Sequence, residues 1–83
     1  MEKKRSISNT IALRFEAARI VINISKERLY DELDTTKHIY KHMLSGNKKI
    51  PFEWVKYMEE HYNISQNWIW VGKGDMFLPK ETL

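Results

Sequence analysis

The sequence predicts an all-α fold built from five short helices, and three observations predict it. Apolar residues recur at spacings of three and four rather than two, the period of a helix with one buried face. Each periodic stretch follows a residue suited to start a helix and ends on Asn, Asp or Gly, which accept left-handed geometry at a helix stop. No stretch alternates as a strand does, and there is no internal repeat or low-complexity segment. Five such helices joined by two- to four-residue turns make a compact all-α domain.

Ser8, Asn9 and Thr10 are candidate caps for the first helix. Ile11, Phe15, Ala18 and Ile22 form its inner stripe, with Arg14 and Arg19 off it, and Asn23 stops it. Ser25 caps a second helix over about residues 26–33, which turns Leu29 and Leu33 inward and closes at Asp34. Thr36 caps a third that runs to about Ser45, with Gly46 as its stop and Asn47, Lys48 and Lys49 as the loop beyond. Pro51 suits the start of a fourth helix, where its missing N–H costs nothing. Trp54, Val55, Met58 and Tyr62 mark that helix's inner face as far as Asn63. Ser65 caps the fifth, Gln66 to Val71, and Gly72 ends it in the turn Gly72-Lys73-Gly74. The chain thus divides into a flexible basic arm (1–7), a folded domain (8–77) and a tail (78–83).

Eighty-three residues suit one domain, and a chain this short buries only roughly 60% of its unfolded surface. A 42% hydrophobic and 12% aromatic content supplies a globular core and argues against wholesale disorder. The absence of cysteine excludes disulfides, Cys-based zinc fingers and thiol catalysis, and fits a reducing compartment. No apolar run approaches the ~20 residues of a membrane span, and the Met1–Arg5 start has no hydrophobic segment behind it. A cytoplasmic location is expected, with no membrane partner.

Charge is uneven along the chain. Residues 1–49 hold eleven Lys or Arg against six acids, whereas residues 50–83 hold three against five. Such asymmetry suggests one face directed at a polyanion, the alternative being an ordinary solvated surface. The most informative stretch is Ser25 to Gly46, two short helical patterns joined at Asp34-Thr35. The second carries Lys37, His38, Lys41 and His42; Lys48 and Lys49 follow, and no acid lies between Asp34 and Glu53. A short helix, basic on one face and clamped by a neighbour, suits an anionic groove and reads as a DNA-recognition helix.

Catalytic patterns are missing. There is no glycine-rich phosphate loop, no Ser-His-Asp pattern and no isolated carboxylate pair, and Glu59-Glu60 reads as a solvated face of the fourth helix. His38 and His42 have the spacing of helical zinc ligands, but His-Ile-Tyr-Lys-His lacks the Glu of the His-Glu-x-x-His pattern, and His61 stands apart. No enzyme activity, metal or cofactor is expected.

The chain resembles the lambda-repressor-like (Xre-type) helix-turn-helix domains, in particular their bacteriophage-repressor branch, over about Arg14 to Phe77. Ser25-Lys26 with Leu29 and Leu33 is similar to the family's Ser-Gln opening and paired leucines. Gly46, Lys48, Lys49 and Pro51 are similar to its Gly, basic residues and Pro after the third helix, and Pro51-Phe52-Glu53-Trp54 fits the phage branch. The stretch from Asn63-Ile64-Ser65 through Trp68, Gly72, Gly74 and Met76 resembles the family ending Asn-Val-Ser-x-x-Trp-Leu-Leu-Thr-Gly-x-Gly-x-Met. Three positions depart. Tyr30 stands where the family prefers Ala, Asp34 where Gly is usual, and Thr35 where an aliphatic residue plugs the helix crossing. Tyr30 calls for either a wider crossing or a ring swung to the surface.

The resemblance implies that residues 8–77 are a helix-turn-helix DNA-binding domain acting on double-stranded DNA as a homodimer. It implies Tyr40 and Met43 inward, so that Lys37, His38, Lys41 and His42 reach base edges. Lys26, Thr36, Lys48 and Lys49 are then phosphate contacts; Lys3, Lys4 and Arg5 read first as a disordered stretch, the alternative being an arm along a groove. Ile39 either touches a thymine methyl or joins the core. Trp54, Trp68 and Trp70 are core candidates, but Trp68 and Trp70 are two apart and cannot share a helix face. In this fold the fifth helix often supports dimer contact, which makes Trp70, Met76 and Phe77 the expected dimer patch; the alternative is a tail that folds back over Trp70. The implied function is a transcriptional regulator, a phage-type repressor on a near-palindromic operator. The alternatives are an antitoxin, which would also grip a partner protein, and a protein-interaction module that has lost DNA binding.

Overall fold

Local capping chemistry sets most of the helix boundaries. The computed structural model describes residues 7–79, with side chains from Thr10 onward. It contains α1 (Ile7–Val21), α2 (Lys26–Leu33), α3 (Lys37–Leu44), α4 (Phe52–Tyr62) and α5 (Gln66–Val71). Ser25, Thr36 and Ser65 each accept the N–H three residues on, from Arg28, Ile39 and Trp68, which satisfies one of a helix's free first-turn donors. Asn23, Asp34 and Asn63 take positive φ values of 60°, 56° and 61° at the helix ends, a conformation these side chains tolerate better than most. Among the described residues α1 begins at Ile7, upstream of the three expected caps. Most of the expected basic arm, including Lys3, Lys4 and Arg5, and residues 80–83 of the expected tail lie outside the described residues.

The core gathers Ala12, Phe15 and Ala18 of α1 with Leu29 of α2, Tyr40 and Met43 of α3, Trp54, Val55 and Met58 of α4, and Ile69 of α5. The Phe15 ring lies 6.3 Å from Tyr40 and 6.1 Å from Trp54, and Tyr40 lies 5.9 Å from Trp54, within the range of favourable aromatic pairing. α1 packs against α3 and α5, α4 against α5, and α2 against α3. On α5 both Trp68 and Trp70 are half-buried while Ile69 between them is fully buried. At 100° per residue an inward face centred on Ile69 puts one tryptophan on each flank, so neither takes the core position alone.

Polar side chains stitch these helices together over long sequence distances. Arg14 donates from Nε to the Ile69 carbonyl at 2.9 Å and from Nη2 to the Trp70 carbonyl at 3.1 Å, placing a cation on the C-terminal carbonyls of α5. A Cβ at Gly72, whose φ is +81°, would meet Arg14 Nη1 at 3.0 Å. Arg19 binds Glu16 through Nε and Nη2 at 3.0 and 2.8 Å and the Ile24 carbonyl through Nη1 at 2.7 Å. Glu59, expected to be solvated, is half-buried, and its Oε1 accepts the Gln66 N–H at 3.2 Å. The chain after α5 turns back: the Ser65 N–H donates to the Met76 carbonyl at 2.7 Å and the Leu78 N–H to the Asn63 carbonyl at 3.0 Å. One antiparallel bridge, Ile64 to Phe77, is the extent of β pairing among the described residues. No helix among them is long and apolar enough to cross a membrane.

Candidate nucleic-acid interface

Burial of Tyr40 and Met43 fixes the register of α3. Lys37, His38 and Lys41 are exposed and His42 is half-buried on the opposite side. Ile39 is 38% exposed and so belongs mainly to the outer surface. The turn between α2 and α3 spans residues 34–36: Asp34 supplies the left-handed residue, and the Thr35 N–H donates to the Tyr30 carbonyl at 2.9 Å. Thr35 Oγ1 is buried and has no hydrogen-bond partner among the described residues. Thr36 is exposed, and its hydroxyl accepts the Ile39 N–H. Lys26 is exposed at the start of α2, and Lys48 and Lys49 are exposed in the loop after α3.

Two carboxylates hold this pair of helices from below. Tyr40, on the inner face of α3, donates its hydroxyl to Glu16 Oε1 of α1 at 2.6 Å. Burial pushes the Glu16 carboxyl up, but hydrogen bonds from Arg19 and Tyr40 and the Arg19 charge outweigh it and leave the group below its ordinary value. Burial, then the bond to Glu16 and its charge, raises the Tyr40 hydroxyl, which stays a neutral donor. Glu32 of α2 accepts on Oε1 from Tyr62 at 2.6 Å and Tyr57 at 2.9 Å, both on α4, and on Oε2 from Arg28 at 2.8 Å. Led by the Tyr62 and Arg28 bonds, these hold its carboxyl at about 2. α3 is thereby tied to α1 and α2 to α4. Sequence reasoning missed both ties. The available signal was chemical: tyrosines on inner helix faces bury a hydroxyl that needs a partner.

The outward side chains sort into two hollows. One cleft of about 350 Å³ lies between α2 and α3, lined by Lys26, Glu27, Tyr30, Lys37, Tyr40, Lys41 and Leu44. Tyr30 answers the question its position raised. Its ring is half-buried, 5.4 Å from Tyr40 at a 57° tilt, and forms a wall of this cleft. Burial, with the charges of Glu27 and Glu16, raises its hydroxyl above the ordinary value. The second hollow is lined by His38, Lys41, His42, Ser45 and Asn47. There the two imidazoles meet edge to face with centroids 4.5 Å apart. Lys41 stands on the ridge between them.

Ion pairing separates the cations further. Among the described residues Arg19, Arg28 and Lys56 have a carboxylate within 4.0 Å, while Lys26, Lys37, Lys41, Lys48 and Lys49 have none. Among the described residues, then, no carboxylate forms a close ion pair with the lysines of the α2–α3 face. The expected dimer patch is mixed: Trp70 and Met76 are half-buried against the core, and Phe77 is 40% exposed. Comparison of the chain with protein-family models, curated proteins and solved structures finds no match.

Proposed function

We propose that this chain is a non-enzymatic, sequence-specific double-stranded DNA-binding protein of the lambda-repressor-like helix-turn-helix kind, serving as a phage-type transcriptional repressor. The observation that carries the reading is the α3 surface: a short helix, tied down through Tyr40 and Met43, that presents Lys37, His38 and Lys41 outward, neither lysine ion-paired within 4.0 Å to a carboxylate of the described residues. A B-DNA major groove admits one α-helix and offers acceptors on guanine that lysine can meet. Lys26 and Thr36 ahead of the two helices and Lys48 and Lys49 behind α3 flank it where a duplex carries its phosphates. As a homodimer, contacting through the Trp70, Met76 and Phe77 region, the protein would set two α3 helices roughly 34–36 Å apart on a near-palindromic operator. Occupying promoter DNA represses transcription.

Selection from a random duplex pool followed by sequencing tests the proposal. It should enrich a two-fold symmetric site whose half-site centres lie about 10 base pairs, or a multiple, apart. A pool that stays random through repeated rounds would refute the sequence-specific reading.

A further inference from the structure

Lys26, Lys37 and Lys41 come from two helices and line one cleft. Lys26 opens α2, whereas Lys37 and Lys41 are one turn apart on α3. Like charges gathered around one hollow repel each other unless something anionic sits among them. The described chain supplies little of that: Glu27 is the single carboxylate lining the cleft, and it pairs with none of the three lysines within 4.0 Å. Below the floor, Glu16 feels the Lys26 charge but is already bound by Arg19 and Tyr40. The cleft lining therefore keeps a net charge of about plus two, complementary to a phosphate group, which carries about −1 as a diester and −1.5 to −2 as a monoester. The Tyr30 ring gives one wall an apolar surface with a hydroxyl at its tip, and 350 Å³ leaves room for the sugar or other carbon skeleton that a phosphate carries.

We infer that the cleft between α2 and α3 is a phosphate site, in which Lys26, Lys37 and Lys41 close together on one phosphate group. The inference deepens the DNA-binding reading, on which it rests for one of its two phosphate sources, a backbone phosphodiester; the other is the phosphomonoester of a small molecule. It also divides the labour of α3. Lys37, which lines this cleft and not the second hollow, anchors, while the His38 and His42 hollow, with Lys41 on its rim, is left to read bases. A monoester seated in the cleft would occupy Lys37 and Lys41 and compete with duplex, so the same site offers a route for an anionic effector.

The test uses the whole chain. Backbone amide NMR shifts are followed while inorganic phosphate replaces chloride at constant ionic strength, in the wild type and in Lys26→Gln, Lys37→Gln, Glu27→Gln and the α4 control Lys56→Gln. Saturable shifts are expected at Lys26, Tyr30, Lys37 and Lys41. Their midpoint should rise about fivefold in either cleft lysine variant, fall in Glu27→Gln and hold in Lys56→Gln. Shifts that never saturate, or equal midpoints in all variants, would overturn the site. In the duplex arm single backbone phosphates are replaced by uncharged methylphosphonates. At one position per half-site the replacement should weaken binding and abolish any further loss from Lys37→Gln, identifying DNA as a source. Saturation by inorganic phosphate in a chain that binds no duplex would leave the site standing with a phosphomonoester ligand and refute the DNA reading. Tight duplex binding in which Lys37→Gln alters sequence preference, and no backbone position masks its loss, would refute the phosphate site and leave the DNA reading intact.

Discussion

The α1 flank and the α2–α3 face both carry cations, and the two regions use them in opposite ways. Arg14 and Arg19 of α1 turn back onto the protein, Arg14 onto the last carbonyls of α5 and Arg19 onto Glu16 and the Ile24 carbonyl. Lys26, Lys37 and Lys41 stand exposed, with no carboxylate within 4.0 Å among the described residues. Residue type follows the use. A planar guanidinium reaches several fixed acceptors at once, whereas an ammonium on a flexible stem stays hydrated until a partner arrives. A count of positive charge along the chain therefore overstates the charge available to an anionic partner, because part of it is already engaged within the fold.

The comparison breaks most visibly through stability. Arg19→Ala removes two hydrogen bonds to the half-buried Glu16 carboxylate and one to the Ile24 carbonyl and should cost about 2–3 kcal/mol, lowering the thermal midpoint by roughly 10–20 °C. Calorimetry showing an unchanged midpoint would remove the structural role given to that arginine. Glu32→Gln comes next. The native carboxyl, held at about 2, lies below the ordinary 4.5, so the stability it contributes is present above pH 4.5 and is lost as pH falls toward 2. Acid titration of the wild type should show that loss by circular dichroism, and the variant should start less stable and decline more gently over the same window.

The lysines should behave in reverse. Lys26→Gln and Lys37→Gln are expected to leave stability within about 0.5 kcal/mol while lowering affinity roughly tenfold for matched and random duplexes alike. Anisotropy titrations that show a changed ranking of sequences would return Lys37 to base reading. The smallest effect sharpens the account of the crossing. Thr35→Val replaces a buried, unpartnered hydroxyl by a methyl of the same shape and should raise stability by up to about 1 kcal/mol. A loss of that size in denaturant melts would mean that the hydroxyl has a partner in solution.

How much of this was legible in the sequence depended on range. Ser25, Thr36 and Ser65, with Asn23, Asp34 and Asn63, act within three or four residues of themselves, so their roles could be read directly. The α3 register followed once Tyr40 and Met43 were placed inward. The ties could not be read. Tyr40 reaches back 24 residues to Glu16, Tyr57 and Tyr62 reach 25 and 30 residues to Glu32, and Arg14 reaches 55 and 56 residues to α5. Nothing local distinguishes those carboxylates from solvated ones, which is also why Glu59 was misplaced. The cleft was equally hidden, because it depends on which way the Tyr30 ring turns between two helices.

The proposed function stands on the lysine face of α2 and α3, free of close ion pairs among the described residues, meeting a polyanion. The most direct measurement is the affinity of the wild-type chain for a labelled duplex as salt rises from 50 to 200 mM. If a dimer neutralises about 6–10 phosphates, affinity should fall linearly on logarithmic axes by on the order of 10³–10⁵, and Lys26→Gln with Lys37→Gln should flatten the slope. No complex at 50 mM salt, or a complex whose affinity ignores salt, would contradict it.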